Sequence, residues 1–153
     1  MLESDYLAQF AQLIGDVDWD IMLPRQWQDF FEEKGHIPTC PDDDRSNQRF
    51  RLRTHGLLWF DDPLPAFPRP TGAIGIYTCD FSRQGCGILT SVPLLPGENV
   101  RVVLSTFWTE LHVVRTRRIT RQCFEVGMTL SRRHDPSESA FRDVPAVEES
   151  PSL

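Results

Sequence analysis

The sequence predicts a mainly β protein, in which a small antiparallel barrel of six strands follows an N-terminal helical extension. Apolar residues recur at helical spacing near the N-terminus, and from residue 55 onward short apolar runs alternate with polar residues between turn signals. With 40% hydrophobic residues, including 10 Phe and 4 Trp, the chain has enough apolar material for a packed core. A length of 153 residues suits one domain with an appendage.

The N-terminal extension, residues 1–37, is predicted to form two helices. Over residues 4–14 the apolar side chains recur at i, i+4, i+7 and i+8 and form one face: Tyr6, Phe10, Leu13 and Ile14. The second helix is expected over residues 24–34, with a stop at Gly35 and a stripe of three aromatic residues: Trp27, Phe30 and Phe31. Two such helices cannot bury their apolar faces alone. We therefore expect them to dock on the following domain, to self-associate or to bind a partner protein.

Residues 38–44, PTCPDDD, predict a linker because they are acidic and contain prolines. Residues 61–72 carry four prolines and predict a long loop. The barrel is placed at 45–135, and residues 136–153 are expected to form a short helical turn, near 137–143, and a flexible tail. Six strands are expected in the barrel: 55–60, 74–79, 86–90, 100–104, 108–119 and 124–130.

Charge is segregated along the chain. Residues 1–44 carry 11 acidic and 2 basic residues, residues 45–135 carry 13 arginines and 7 acidic residues, and residues 136–153 carry 4 acidic residues and 1 arginine. A basic segment between two acidic ones predicts an anionic partner for the middle of the chain. The net charge of −6 disfavours a long polyanion, whereas a compact dianion feels mainly the local charge within about 10 Å.

Several function classes find little support. The histidines have no neighbouring nucleophile with an orienting acid, so we expect no enzyme activity. No apolar run approaches the ~20 residues of a membrane-spanning helix. The N-terminus is acidic where a signal peptide is basic, so we expect a cytoplasmic protein without membrane insertion. No metal site is expected, because the four cysteines show no CxxC spacing: Cys40, Cys79, Cys86 and Cys123. No disulfide framework is expected either, because the chain is predicted to be cytosolic.

The first of two motifs lies at the start of the basic segment. RSNQR, at residues 45–49, has the form RxxxR. Arg45 and Arg49 are candidate phosphate ligands, because a guanidinium binds phosphate oxygens with two hydrogen bonds and also stacks on purine rings. RFRLR overlaps this motif with the same spacing, so Arg53 is an alternative for the second position. A solvated arginine cluster at a domain edge would also explain this motif taken alone.

The second motif, DFSRQG at residues 80–85, has the form DxSxxG and falls between two predicted strands. Asp80 can accept two hydrogen bonds from the N1–H and exocyclic amine of guanine, and Ser82 offers a hydroxyl to a phosphate or to the turn backbone. Gly85 supplies either a positive φ or an unhindered backbone where a ligand lies close. Arg83 is a further candidate phosphate contact. A hairpin turn with an Asx-type hydrogen bond from Asp80 would also explain the motif alone.

Together, in this order and joined by a strand, the two motifs make residues 45–131 resemble the PilZ domain, a bacterial receptor module for cyclic di-GMP. The resemblance implies a six-stranded PilZ-like barrel that grips this second messenger between the two motifs, without a cofactor. The stretch 61–72 is longer than the resemblance implies and is expected to lie beside the ligand or to cap the barrel. The residues assigned to cyclic di-GMP are Arg45, Arg49, Arg53, Asp80, Ser82, Arg83 and Gly85.

Ligand binding is expected to order residues 38–53 and to pass the signal to the N-terminal helices. Two alternatives stay open. One is a PilZ-like adaptor that binds only proteins and no ligand. The other, with less support, is a small barrel that binds single-stranded nucleic acid through its basic edge and its aromatic residues.

Overall fold

The computed structural model describes residues 2–27, 29–32, 35–36 and 50–144. Within these residues it contains the α-helix α1 (Glu3–Asp16) and three 3-10 helices: Arg25–Trp27, Phe30–Glu32 and Glu138–Phe141. No helix in this part of the chain has both the length and the apolar composition that crossing a membrane requires. The strands are β1 (Gly35–His36), β2 (Phe50–Arg51), β3 (His55–Asp62), β4 (Ile74–Phe81), β5 (Gly85–Thr90), β6 (Asn99–Val103), β7 (Trp108–Thr120) and β8 (Cys123–His134).

Strands β3 to β8 form a closed antiparallel barrel. Their order is β4-β3-β6-β7-β8-β5, and β5 also pairs with β4, which closes the sheet on itself. The short strands β1 and β2 extend the sheet, because β2 pairs with the end of β4 and β1 pairs with β2. Closure leaves few backbone groups unpaired at a sheet edge. The predicted six-stranded barrel and its N-terminal helix are confirmed.

The barrel wall is apolar on both faces where other elements cover it. Leu58 and Phe60 of β3 point into the barrel and belong to its central core. Leu57 and Trp59, which alternate with them, point outward and are also buried, because α1 and the C-terminal 3-10 helix pack on them. A strand that is buried on both faces needs a continuous apolar run, which explains the sequence GLLWF in β3.

Helix α1 packs on this outer face through the residues that its spacing predicts. Tyr6 and Phe10 are buried against the barrel, and Leu13 and Ile14 pack at the margin of the same cluster. The Tyr6 hydroxyl also donates a hydrogen bond to the carbonyl oxygen of Leu104 at 2.7 Å. The predicted amphipathic helix is therefore confirmed, and the barrel covers its apolar face.

The second helix, predicted over residues 24–34, is wrong. Arg25–Trp27 and Phe30–Glu32 are separate 3-10 turns with i→i−3 hydrogen bonds, and Gly35, the expected stop, pairs in β1 instead. Tryptophan and phenylalanine are weak helix formers, so little local preference opposes this conformation. The segment instead follows the barrel surface, where its aromatic side chains pack around Tyr77.

The segment between α1 and β1 thus covers a second outer face of the barrel, on β4 and β5. Ile21 and Phe30 are buried there beside Tyr77. The Trp19 ring lies against Gly75 of β4, where a Cβ atom would stand 2.7 Å from Trp19 Cζ3. The same ring stacks on Tyr77, with centroids 5.7 Å apart and planes 4° apart. Gly75 is therefore required for close docking of this segment.

The proline-rich loop that follows β3 packs on the barrel through Arg69. Arg69 from this loop forms a buried ion pair of 2.6 Å with Glu98, and its guanidinium lies 4.7 Å from the centre of the Phe60 ring. The loop leads into the start of β4, whereas Asp80 is six residues further along that strand, about 20 Å away. Of the two predicted placements of this loop, the contacts of Arg69 with Glu98 and Phe60 favour capping of the barrel.

Arg101 of β6 fastens the C-terminal 3-10 helix, which confirms the helical turn predicted there. Its buried guanidinium pairs with Asp61 at 2.8 Å. It also donates hydrogen bonds to the backbone carbonyls of Ser139, Ala140 and Arg142, at 2.8, 2.7 and 2.5 Å. These contacts give Arg101 a structural role, and it lies outside the candidate site.

Candidate functional site

The DxSxxG motif forms the turn between β4 and β5. Asp80 lies in β4, and the turn closes with a 2.9 Å hydrogen bond from Ser82 N to the carbonyl oxygen of Gly85. The Ser82 hydroxyl lies 3.5 Å from the same oxygen and accepts a hydrogen bond of 3.2 Å from Gln84 N. Of the two roles predicted for this hydroxyl, the structure supports the contact with the turn backbone.

Gly85 is needed for close backbone approach and not for a left-handed conformation. In the described residues the positive φ belongs to Gly97, in the turn before β6, so of the two roles predicted for Gly85 the positive φ does not apply. A Cβ atom at Gly85 would stand 1.9 Å from the carbonyl oxygen of Met128. The unhindered backbone that we predicted is therefore present, but the neighbour that requires it is β8.

The strand pairings align five residues in one row across the barrel surface. Following the Cα partners from β2 through β4, β5 and β8 to β7, the row is Arg51, Asp80, Gly87, Gly127 and Arg115. Adjacent members of such a row lie about 5 Å apart. The row therefore has an arginine at each end, a carboxylate on one side, and two residues without side chains between Asp80 and Arg115.

The two glycines are covered from opposite sides by the charged residues that flank them. A Cβ atom on Gly87 would stand 3.3 Å from Asp80 Oδ1, and a Cβ atom on Gly127 would stand 2.9 Å from Arg115 Nε. The Asp80 and Arg115 side chains therefore lean toward each other over a flat strip of backbone. We refer to Gly87 and Gly127 together as the glycine floor.

A groove of about 320 Å³ lies over this row. It brings together a carboxylate, a guanidinium, polar groups of the turn and the bare backbone of the floor. Such a surface suits a flat ring that carries both hydrogen-bond donors and acceptors at its edges. The residues that line the groove include Asp80, Ser82, Gly85, Gly87, Gly127 and Arg115.

A second groove, of about 340 Å³, lies between the N-terminal segment and the barrel. It shares Asp80 and Glu125 with the first groove, and Trp27 and Phe30 form part of its wall. Arg53 also borders it: its Nη1 donates a hydrogen bond to the carbonyl oxygen of Phe30 at 3.3 Å, and its guanidinium lies 4.4 Å from the centre of that ring. The N-terminal segment therefore borders the region around Asp80.

The predicted arginines have different outcomes. Arg45 and Arg49 lie outside the described residues, so their contacts stay predictions. Arg53 is engaged with the N-terminal segment, as described above, and Arg83 is exposed in the β4–β5 turn. The structure brings Asp80, Ser82 and Gly85 of the DxSxxG motif to the edge of the groove.

Sequence reasoning did not include the glycine floor or Arg115 among the site residues. Both glycines sit inside strand-like sequence, where an isolated glycine indicates close backbone approach, and this signal could have marked them. Arg115 is one of several arginines in β7, and nothing in its local sequence separates it from Arg117 or Arg118. Its position opposite Asp80 depends on the pairing of β7 with β8.

The cysteines of the site are suited to packing and not to nucleophilic chemistry. Burial, followed by the nearby Asp80 carboxylate, raises the pKa of Cys79 and of Cys86 above the ordinary range of a thiol. Burial also raises the pKa of Cys123 to about 11. These three thiols therefore stay protonated near neutral pH, and each is a free cysteine.

Comparison with known proteins agrees with this geometry. A family model described as PilZ domain matches residues 43–143, about two thirds of the chain, and this range includes both motifs and the whole barrel. No curated protein and no solved structure shows a significant match. The family match spans the region in which the DxSxxG turn, the glycine floor and the barrel occur together. The chain therefore belongs to the PilZ domain family.

Proposed function

We propose that this protein is a cytoplasmic, non-enzymatic receptor for cyclic di-GMP, which converts binding of the second messenger into a change of conformation or of protein interaction. PilZ domains are binding and adaptor domains, and cyclic di-GMP is the ligand that the family implies. The observation that carries the proposal is the position of Asp80. Its carboxylate lies at the edge of a flat glycine floor, within a groove built by the DxSxxG turn.

The chemistry of guanine fits this position. The carboxylate of Asp80 can accept hydrogen bonds from both the N1–H and the exocyclic amine of guanine. Hydrogen bonds to a charged group are stronger than those between neutral groups, contributing about 1.5–3 kcal/mol each. An adenine ring lacks a donor at N1, so it cannot make the same pair of bonds.

Arg45 and Arg49 are proposed to bind the phosphates and to stack on the guanine rings. The engagement of Arg53 with Phe30 supports this choice of register, because Arg53 already has a role in holding the N-terminal segment. We propose that Arg53 lines the ligand site from that side. Arg83, which is exposed in the turn beside the groove, is proposed as an additional phosphate contact.

The N-terminal segment is the proposed route for the signal. Trp27 and Phe30 lie in the wall of the second groove, which shares Asp80 with the first. A ligand that contacts Asp80 therefore lies beside the segment that follows α1 in the chain. Ordering of residues 38–53 by the ligand would change the docking of this segment and expose or cover a surface for a protein partner.

The test is calorimetric titration of the full chain with cyclic di-GMP, GTP and a short single-stranded oligonucleotide. We expect micromolar or tighter binding to cyclic di-GMP alone. Asp80→Asn preserves the shape of the side chain but removes its charge, and is expected to weaken binding about 10- to 100-fold. Asp5→Asn, which makes the same change on the exposed side of α1, is the matched control and should bind like the unaltered protein.

The other outcomes distinguish the alternatives. Binding to the oligonucleotide with a steep dependence on salt, unchanged by Asp80→Asn, would favour the nucleic-acid interpretation. Absence of binding to all three compounds would contradict the receptor proposal and leave the ligand-free adaptor.

A further inference from the structure

The geometry points to Arg115 of β7 as the residue that reads the acceptor edge of a guanine, opposite to Asp80, which reads its donor edge. This inference rests on the proposed function and deepens it. It concerns a residue outside both motifs, on β7, a strand that contains no residue of either motif. It is carried by the cross-strand row in which Asp80 and Arg115 flank the glycine floor.

The row places Asp80 and Arg115 at the same groove. Asp80 and Arg115 are three strand positions apart, which corresponds to about 14 Å between their Cα atoms. Aspartate reaches only a short way across this distance, and arginine, with the longest side chain, reaches much further. The two side chains extend over Gly87 and Gly127, and both line the groove of about 320 Å³ above the row, where a flat purine ring would meet their polar ends. A Cβ atom at Gly87 would stand 3.3 Å from Asp80 Oδ1, and one at Gly127 would stand 2.9 Å from Arg115 Nε, so a side chain at either glycine would displace these groups.

The chemistry of the two ends is complementary to guanine. Guanine presents two acceptors, O6 and N7, on one edge, and an arginine fork binds both of them at once. Its N1–H and exocyclic amine, on the adjoining edge, are the donors that a carboxylate accepts. Adenine places an amino group where guanine has O6, so a guanidinium would face a donor there. Asp80 and Arg115 together would therefore reject adenine at both edges.

The guanidinium of Arg115 is available for this role. Its side chain lies along Gly127, with Cγ, Cδ and Nε at 3.1, 3.5 and 2.9 Å from the position of a Cβ atom there, and the residue is exposed. Within the described residues the guanidinium of Arg115 takes part in no hydrogen bond or ion pair. By comparison, Arg117 on the same strand contacts Glu125, and Arg118 lies over the ring of Phe124. Replacement of Arg115 should therefore leave the fold unaffected.

The experiment pairs variants of the full chain with two ligands, cyclic di-GMP and its 7-deazaguanine analogue, which lacks the N7 acceptors. For the unaltered protein we expect the analogue to bind about tenfold more weakly. Arg115→Gln is expected to weaken binding of cyclic di-GMP about 10- to 100-fold and to make the two ligands nearly equal. Arg115→Lys keeps the charge but not the fork, and should fall between these results.

Two control variants distinguish recognition of the guanine edge by Arg115 from a general effect of its positive charge. Arg132→Gln removes an exposed arginine on β8, five residues beyond Gly127 and about 16 Å from it. This distance is longer than the Debye length, so the affinity for cyclic di-GMP should change less than twofold. Asp80→Asn should weaken the binding of both ligands and preserve the ratio of their affinities, because Asp80 contacts the other edge of guanine.

The inference is overturned if Arg115→Gln binds cyclic di-GMP within twofold of the unaltered protein. It is also overturned if Arg115→Gln weakens binding but the penalty for 7-deazaguanine persists, since Arg115 would then contact a phosphate or act only through its charge. In both cases the receptor proposal still stands, because its test is the effect of Asp80→Asn on the binding of cyclic di-GMP. If the unaltered protein does not bind cyclic di-GMP, both proposals fail together.

Discussion

The hydroxyl group of Tyr6 donates a hydrogen bond of 2.7 Å to the carbonyl oxygen of Leu104, 98 residues further along the chain. A second, longer contact of 3.2 Å joins it to the carbonyl oxygen of Phe107. Both acceptors lie in the connection between β6 and β7, so this one side chain fastens α1 to the barrel. Burial raises the pKa of the Tyr6 hydroxyl, so it remains a donor throughout the physiological range.

Tyr6→Phe is therefore expected to destabilise the protein without changing its fold. The substitution removes the hydroxyl and leaves the buried carbonyl of Leu104 without this donor, at a cost of about 1–2 kcal/mol in the free energy of unfolding. Urea denaturation followed by tryptophan fluorescence would measure it. Leu7→Ala, on the exposed side of the same helix, should change stability by less than about 0.5 kcal/mol. Equal stability of Tyr6→Phe and the unaltered protein would contradict this role.

Gly85→Ala is expected to be strongly destabilising, although alanine suits the backbone conformation. The added Cβ atom would stand 1.9 Å from the carbonyl oxygen of Met128, and that oxygen belongs to a paired strand that cannot yield easily. Overpacking of this kind costs about 1–3 kcal/mol or more. Gly72→Ala, where the nearest neighbour would be 3.8 Å away, is the matched control. A similar melting temperature for the two variants would argue against the close approach at Gly85.

The barrel could be predicted because its strands are marked locally. Runs such as IGIYTC and the alternation in NVRVVL specify strands through the burial of their own residues, and the DxSxxG and proline-rich segments separate them. The helix α1 was predictable for the same reason, because one face of it is apolar. These features depend on residues close together in sequence.

The position of Arg115 opposite Asp80 and the two 3-10 turns were not predictable, because they depend on contacts between distant residues. Arg115 comes to lie opposite Asp80 only through the registers of three strand pairings, and irregularities in β7–β8 and β4–β5 shift those registers by a residue. The segment over residues 24–34 has helical spacing, but its conformation follows the shape of the barrel surface around Tyr77. No local pattern in the sequence contains that information.

His55 predicts a pH dependence of stability. Its ring stacks on Phe31, with centroids 5.0 Å apart, and makes edge contacts with Trp19 and Tyr77. Burial lowers the pKa of His55 in the folded protein below its ordinary value of 6.5. The unfolded chain therefore takes up the proton first as the pH falls. The contribution of the neutral ring to stability is present above about pH 6.5 and is lost as the pH falls through the window between the two pKa values.

The measurement compares the unaltered protein with His55→Gln by urea denaturation at pH 7.5, 6.5 and 5.5. The difference in their free energies of unfolding isolates His55, because the other histidines are common to both proteins. We expect the stability of the unaltered protein relative to His55→Gln to decrease toward low pH. An increase would mean that the surrounding rings stabilise the imidazolium ion and that the pKa is raised.

Gly75→Ala tests whether the N-terminal segment can be released from the barrel. A Cβ atom at Gly75 would stand 2.7 Å from Cζ3 and 2.8 Å from Cε3 of Trp19, and 3.0 Å from the carbonyl oxygen of Asp18. The indole ring would have to move, and with it the stacking on Tyr77. We expect hydrogen exchange to accelerate over residues 17–32, while the strands of the barrel keep their protection, because the Cβ atom points away from the central core.

Gly15→Ala is the control for this variant, since a Cβ atom there meets nothing within 4 Å, and an alanine in a helix should stabilise it slightly. Uniform acceleration of exchange across the barrel would show that Gly75 supports the barrel itself and not the docked segment. If the segment alone loosens, the same variant measures how much of the affinity for cyclic di-GMP depends on Trp27 and Phe30, which border the groove that contains Asp80. A decrease in affinity without a change in the barrel would link the docking of the N-terminal segment to the ligand site, whereas unchanged affinity would limit that segment to a structural role.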